Sequence, residues 1–368
     1  MNKDKFIYAK LYNNCRKGGD NMKKLSLFSI IIIIIIIIMN ILSLDINAEI
    51  ININPIRVGV LLYKEDDYYI SELRNHLLKI ENENKEKIDF IFYDADANQE
   101  LQNRQIDELI KGKVDLILLN IVDIHEADSV INKIKENNIP LILFNREPLS
   151  LNEIKSYNKS LYVGTESCDA GKIKSEMIIN EIKSGNIKDK NENGSLDYIL
   201  LEGEQDNIEA QLRSECVIRS LNENKIKTNE IANEVCNWSK ECAKKEIESL
   251  FSKYGDNIEV IISNNDEMAI GAILALQEKG YNIGDPDKFI SVVGVDGTTE
   301  ARKMIKNGFM TGTVLHDAEA KAKALYRIGL NLVEGKEPLQ DTEYKFDETG
   351  VGVRIPYNGY ITRNWSNI

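Results

Sequence analysis

Nine consecutive residues of this 368-residue chain, Asp189-Lys190-Asn191-Glu192-Asn193-Gly194-Ser195-Leu196-Asp197, place oxygen-bearing side chains at positions 1, 3, 5, 7 and 9 and glycine at position 6. Calcium is a hard cation that takes oxygen ligands, and this is the front of an EF-hand-type loop. The glycine permits the sharp turn and position 7 offers its backbone carbonyl. Position 12 is Leu200 and not glutamate, so the local sequence lacks the bidentate ligand of an ordinary EF-hand. A second set of polar residues follows short apolar runs: Asp67, Asn145, Asn265-Asp266 and Asp296. Planar carboxylate and amide groups can each meet two hydroxyls, which suits a polyol. Asn and Asp in such places also cap helices. Four at successive strand ends weigh toward one shared site.

Other chemistry finds little support. His76 and His125 lie in polar helical stretches without an evident partner, and no Cys-His spacing suggests zinc. Gly350-Val351-Gly352 is not followed by a helix, so no dinucleotide loop is implied. Five cysteines do not make a disulfide scaffold. Cys236 and Cys242, six apart around Trp238, could bridge outside the cytoplasm or remain free thiols. Cys168 and Cys216 carry no pairing signal.

The elements that must position these residues alternate regularly. Apolar runs at 57–63, 88–93, 114–120 and 140–145 read as strands. Helix-like stretches at 70–82, 100–111 and 126–137 separate them. The pattern restarts with strands at 161–164, 198–201, 260–263 and 291–295, and helices at 170–183, 209–222, 240–254 and 268–279. Such alternation predicts parallel sheets flanked by helices, and the length predicts two of them. Ligands of open α/β sheets sit at the carboxyl ends of the strands, so the polar strand ends would face a cleft between domains.

The chain carries 46 Lys+Arg against 59 Asp+Glu, a net charge of −13, with three histidines. No basic block is present, which argues against nucleic acid as a partner. Met22-Lys23-Lys24, an apolar run containing Ile30 to Ile38, and Ile46-Asn47-Ala48 read as a secretory signal with cleavage after Ala48. The rival reading is a retained membrane anchor. Residues 1–48 are therefore set apart as leader and signal, leaving 320 residues of folded, extracytoplasmic chain.

Long colinear motifs make the chain similar to the periplasmic galactose/glucose-binding proteins of ABC import and chemotaxis. These are YKEDDYY at 63–69, LILFNREP at 141–148, YVGTES at 162–167, ISNNDEMAIGA at 262–272, VVGVDGTTEA at 292–301 and GTVLHDAEAKAKA at 312–324. The resemblance implies two Rossmann-like domains joined by three hinge strands. One lobe would span 49–164 plus about 319–351, the other 165–318 plus about 352–368. It implies a monomer that delivers D-glucose or D-galactose to an ABC permease, with a chemoreceptor as a further partner. The implied sugar contacts are Asp67, Tyr69, Asn145, Asn207, Glu209, Arg213, Trp238, Asn265, Asp296 and His316, with Tyr69 and Trp238 sandwiching the ring. It also implies a structural Ca2+ held by Asp189, Asn191, Asn193, the Ser195 carbonyl, Asp197 and, from afar, Glu259.

Several positions depart from the family's usual residues. Asn207 stands for His, Glu209 for Asp, His316 for Asn, Tyr69 for Phe, and Asn193 for Asp in the metal loop. The first three put selectivity at some hydroxyls in question. His316, able to gain charge between about pH 5 and 8, is the expected source of pH dependence. Two other classes of function remain: a sugar-modifying enzyme using Asp67 and Asp296, and a sensor-domain transcription regulator. The regulator would need a DNA-binding unit where the isoleucine run stands.

Overall fold

The computed structural model describes residues 29–39 and 54–361. Residues 29–39 form an apolar helix whose isoleucines are about half exposed. Among the described residues no helix is long and apolar enough to cross a membrane. The signal reading and its cleavage point lie mostly outside the described residues.

From Pro55 onward the chain forms one compact unit built on two six-stranded sheets. The first contains β1 (Ile56–Leu62), β2 (Ile88–Asp94), β3 (Leu116–Leu119), β4 (Leu141–Phe144), β5 (Ser160–Gly164) and β11 (Gly352–Arg354), in the order β11-β5-β4-β3-β1-β2. The second contains β6 (Leu196–Glu202), β7 (Thr228–Val235), β8 (Val260–Ser263), β9 (Ser291–Asp296), β10 (Gly312–Leu315) and β12 (Asn358–Tyr360), in the order β12-β10-β9-β8-β6-β7. All pairings are parallel except β10 with β12. The central strands are continuous apolar runs because helices cover both faces. Leu116–Leu119, Leu141–Phe144 and Val260–Ser263 are buried throughout.

The helices that frame the cleft are α1 (Tyr68–Glu83), α5 (Ser167–Lys183), α6 (Ile208–Glu223), α7 (Lys240–Tyr254), α8 (Asp266–Glu278) and α10 (Ala318–Val333); α2 (Gln99–Lys111), α3 (Ala127–Glu136), α4 (Asn152–Lys155) and α9 (Thr299–Lys306) complete the set. Side-chain caps start most of them. Asp67, Asn98, Asn207, Ser239, Asn265, Thr298 and Asp317 each accept a backbone N–H from the following turn. These caps satisfy donors that no helical carbonyl can reach. On α10, Ala318, Ala322, Leu325, Ile328 and Leu332 make one apolar stripe, which packs into the core beneath the first sheet.

The chain crosses between the lobes three times, at 165–166, 316–317 and 355–357, so each lobe is discontinuous. The expected boundaries need correction. Ala318 already belongs to the first core, and β11 pairs with β5, so that lobe runs to Arg354 and not 351. The pattern reading also omitted β7. Its sequence TNEIANEV is polar because it is an edge strand, bonded only to β6 and largely open to solvent.

Candidate functional site

The carboxyl ends of both sheets converge on a cavity with about 490 Å³ of space unfilled by atoms, part of it open to solvent. All ten residues singled out for sugar contact line it. Lobe one supplies Asp67, Tyr69 and Asn145; lobe two and its crossing supply Asn207, Glu209, Arg213, Trp238, Asn265, Asp296 and His316. Tyr63, Arg146 and Thr165 also line it and were not anticipated. Tyr63 and Arg146 stand next to strand ends already marked as candidates, so position along the strand was the signal that could have found them.

Capping and site-lining turn out to be compatible. Asp67 Oδ1 accepts the Ile70 N–H at 3.0 Å, and its Oδ2 accepts the Tyr63 hydroxyl at 2.6 Å. Asn265 Oδ1 accepts the Met268 N–H at 2.9 Å, and Asn207 Oδ1 the Ala210 N–H at 3.0 Å. Asn145 and Asp296 cap nothing. Both hold left-handed backbone, φ 65° and 118°, where the chain turns sharply off its strand.

The charges are buried and interleaved. Burial raises the Asp67 carboxyl, although Tyr63 and the Ile70 N–H pull it down. Burial also raises Glu209. Asp296 is raised well above the carboxylate range by burial and then by Asp266 beneath it. Burial pushes Asp266 to about 7 while its two oxygens accept from Thr313 and Thr298. Against these stand Arg213, whose guanidinium donates to the Asn264 carbonyl at 3.0 Å and the Tyr357 hydroxyl at 2.9 Å. Lys321 lies behind the lining.

Two contacts bridge the lobes at the rim. Arg146 Nη2 donates to Glu204 Oε2 at 2.5 Å, while its plane lies 3.9 Å from the Tyr63 ring centre and Nη1 donates to the Val122 carbonyl. The Glu147 N–H donates to Glu209 Oε1 at 2.8 Å. At the hinge, Arg354 forms a bidentate pair with Glu147, both bonds 2.6 Å, and also reaches Asp347.

Tyr69 and Trp238 both line the cavity, and the Tyr69 ring stacks on His316, centres 3.6 Å apart and planes 8° apart. Against the expected titration of His316, burial and then the positive charges of Lys321 and Arg213 hold its pKa well below the usual histidine value. The sequence could not show that it would be buried beside Lys321.

Trp238 sits in a tight loop with left-handed backbone at Asn237 and Trp238, φ 48° and 65°. A disulfide between Cys236 and Cys242, Cα atoms 5.4 Å apart, closes that loop. A Cβ at Gly203 would collide with the indole, so glycine is required there. Cys168 and Cys216, 48 residues apart, are also bridged because α5 packs on α6. That pairing was not legible in spacing.

The metal-loop residues also come together. Glu259 accepts the backbone N–H groups of Lys190 at 2.8 Å and Asp197 at 3.0 Å. Asp197 accepts the side-chain amides of Asn191, Asn193 and Asn229. Asp189 accepts the N–H groups of Asn193 and Gly194. Asp197 and Glu259 are almost wholly buried, and none of the described ion pairs takes any of the three carboxylates. Burial, followed by Asp197 and Asp189 among the influences that raise it, lifts the Glu259 pKa. Among the described residues no group of three or more Asp, Glu, His and Cys side chains could hold a metal ion, and amide N–H groups pair with these carboxylates.

In the cleft, three buried polar atoms have no partner among the described residues: the Tyr69 hydroxyl, Arg213 Nε and His316 Nδ1. All belong to cavity-lining side chains. An unpaired buried polar group is costly, so a cleft that converges several of them is built for a polar guest. Comparison with known proteins gives the same picture. Residues 58–337 match the periplasmic binding protein domain. The D-galactose/methyl-galactoside binding periplasmic protein MglB of Haemophilus influenzae is 34% identical over 304 residues, covering 82% of this chain and 88% of the relative. The D-xylose-binding periplasmic protein of Escherichia coli is 23% identical, covering 67% and 69%. A solute-binding protein of an ABC transporter from Bacillus halodurans, solved with myo-inositol, shares the fold with a TM-score of 0.68 at 23% identity, covering 84% and 95%. The fold thus has its counterpart in known molecules, and the chain belongs to the type 1 periplasmic sugar-binding proteins, which bind and do not transform their ligands.

Proposed function

We propose that the cleft binds a neutral monosaccharide, D-glucose or D-galactose, and that the protein is the extracytoplasmic receptor that hands it to an ABC permease. The observation that carries this reading is that Tyr69, Arg213 and His316, whose hydroxyl, Nε and Nδ1 have no partner among the described residues, all line one cavity in which cations stand among the acids. A neutral polyol satisfies such atoms without adding a charge. The relative named for D-galactose supports the hexose, and a monomer binding one sugar between two lobes is the simplest form. Sugar touching both lobes favours the closed arrangement, which a permease or a chemoreceptor would read. The leader at 1–48 would direct export. The test is a calorimetric panel of hexoses, pentoses and inositols. Binding of glucose or galactose, recovered unchanged after long incubation, supports the reading; a pentose or inositol bound in preference replaces the hexose. Release of a modified sugar would revive the enzyme.

We also propose that Asp189, Asn191, Asn193, the Ser195 carbonyl, Asp197 and Glu259 hold one calcium ion. The donor set is all oxygen, and two of its carboxylates are buried without a cationic side chain, which suits a hard divalent cation. The ion would supply positive charge and tie the loop to the start of β8. Melting curves with calcium and with a chelator test it.

A further inference from the structure

Lys321 stands outside the cavity lining yet touches it through three lining residues. It lies on the buried stripe of α10 between Ala318 and Ala322, is fully buried, and appears in none of the described ion pairs. Its Nζ is 3.0 Å from His316 Nε2, 3.2 Å from Asn145 Oδ1 and 5.0 Å from the centre of the Tyr69 ring. Arg213, Glu209 and Asp296 are the charged groups whose fields reach it.

An ammonium has three donors and no acceptor. Below about pH 7, where Lys321 is an ammonium, His316 Nε2 must accept toward it, and the imidazole proton resides on Nδ1. That is the buried atom left without a partner; the nearest carboxylate oxygen, on Asp296, is 3.6 Å away. Asn145 obeys the same logic. With Oδ1 turned to Lys321, its amide N–H groups are left for a ligand.

We infer that Lys321 is a positioning residue that fixes the hydrogen-bond polarity of one rim of the cleft, presenting His316 Nδ1–H and Asn145 Nδ2–H as donors. Ligand atoms seated there must be acceptors. A hydroxyl qualifies. An ammonium does not, because it has no lone pair and faces Lys321 and Arg213. The rim thus admits a hydroxyl and refuses the corresponding protonated amino sugar. The ligand half of this inference rests on the monosaccharide reading; the tautomer half does not.

The test is nitrogen-15 NMR of the histidine rings in the ligand-free protein at pH 6, with the His316 signal assigned by its loss in His316→Asn. Nitrogen shifts separate the two neutral tautomers. The parent should show the Nδ1–H form. Lys321→Gln, which keeps a donor, should retain it; Lys321→Met should shift the population toward Nε2–H. In the same variants, the preference for a hexose over its mono-amino derivatives should fall about tenfold in Lys321→Met, the scale of one oriented hydrogen bond, and be rescued in part by Gln. An Nε2–H tautomer in the parent overturns the inference whether or not Lys321→Met folds. An unchanged tautomer, or an unchanged sugar preference, in a folded Lys321→Met protein does so too. If the parent shows Nδ1–H but no sugar of the panel binds, the polarity assignment stands and the monosaccharide reading falls.

Discussion

The cleft and the 189–197 loop both gather buried acids, and they answer them differently. In the cleft, Asp67, Glu209 and Asp296 share their space with Arg213 and Lys321, and Arg146 is paired with Glu204. In the loop, Asp197 and Glu259 receive only backbone and side-chain amide N–H groups. One region already sets cations among its acids before anything binds, so its guest need not bring a charge. The other leaves its negative charge to be met from outside, so its guest should be a cation. Burial alone does not reveal what a site takes; the charge left over after internal pairing does.

The comparison can be broken at either end. The largest effect should come from Arg213→Met, which removes the cleft's central cation and its orphan Nε. We expect a loss of about 2–3 kcal/mol, near a hundredfold in affinity, by calorimetry with glucose or galactose. Parent-like binding would mean the guest sits elsewhere. Next is calcium. At about one hundred times its dissociation constant an ion that binds only the folded state adds about 2.7 kcal/mol, and Glu259→Gln should remove most of that rise in Tm. Superimposable melts in calcium and chelator would erase the contrast between the regions.

A smaller effect should follow cutting the rim. Arg146→Gln and Glu204→Gln each remove the same interlobe pair, so each should speed sugar release about tenfold, and the double variant little more. Stopped-flow dissociation reads this; additive effects would show that the two do not act as a pair. A separate effect is on stability against pH. Burial lowers Lys174 and Lys321 to about 7. The unfolded chain therefore binds more protons than the folded one from there up to about 10.4, and stability should rise with pH across that window. Asp266, raised to about 7, works oppositely: the stability it lends at acid pH is lost as pH climbs from about 4 to 7. The sum of these groups is a shallow minimum in Tm near neutrality. Lys174→Met should flatten its alkaline limb.

Where sequence reading succeeded, the residues obeyed local rules. Continuous apolar strands, polar residues at strand ends and capped helices announce themselves within a few positions, and they marked Asp67, Asn145, Asn265 and Asp296; the family resemblance supplied Tyr69, Asn207, Glu209, Arg213, Trp238 and His316. What escaped depends on packing at long range. Lys321 occupies a stripe position on α10, and that its Nζ would meet His316 and Asn145 requires α10 to lie against the strand ends of β4 and β10. The Cys168–Cys216 bridge needs two helices side by side. The lowered pKa of His316 comes first from burial and then from two cations that arrive from different elements. β7 hid because an edge strand need not be apolar.

The three crossings bear on how the molecule is made. Lobe one cannot close its core without α10, whose Leu325, Ile328 and Leu332 arrive only after the whole of residues 167–315 has been synthesised. Its sheet gains its last edge later still, with β11. Lobe two has all but its short edge strand β12 by residue 315. Synthesis order and completion order are therefore reversed: the lobe begun first receives its last core helix more than 150 residues downstream of its fifth strand. Cutting a chain wired this way at any single crossing cannot yield two intact halves.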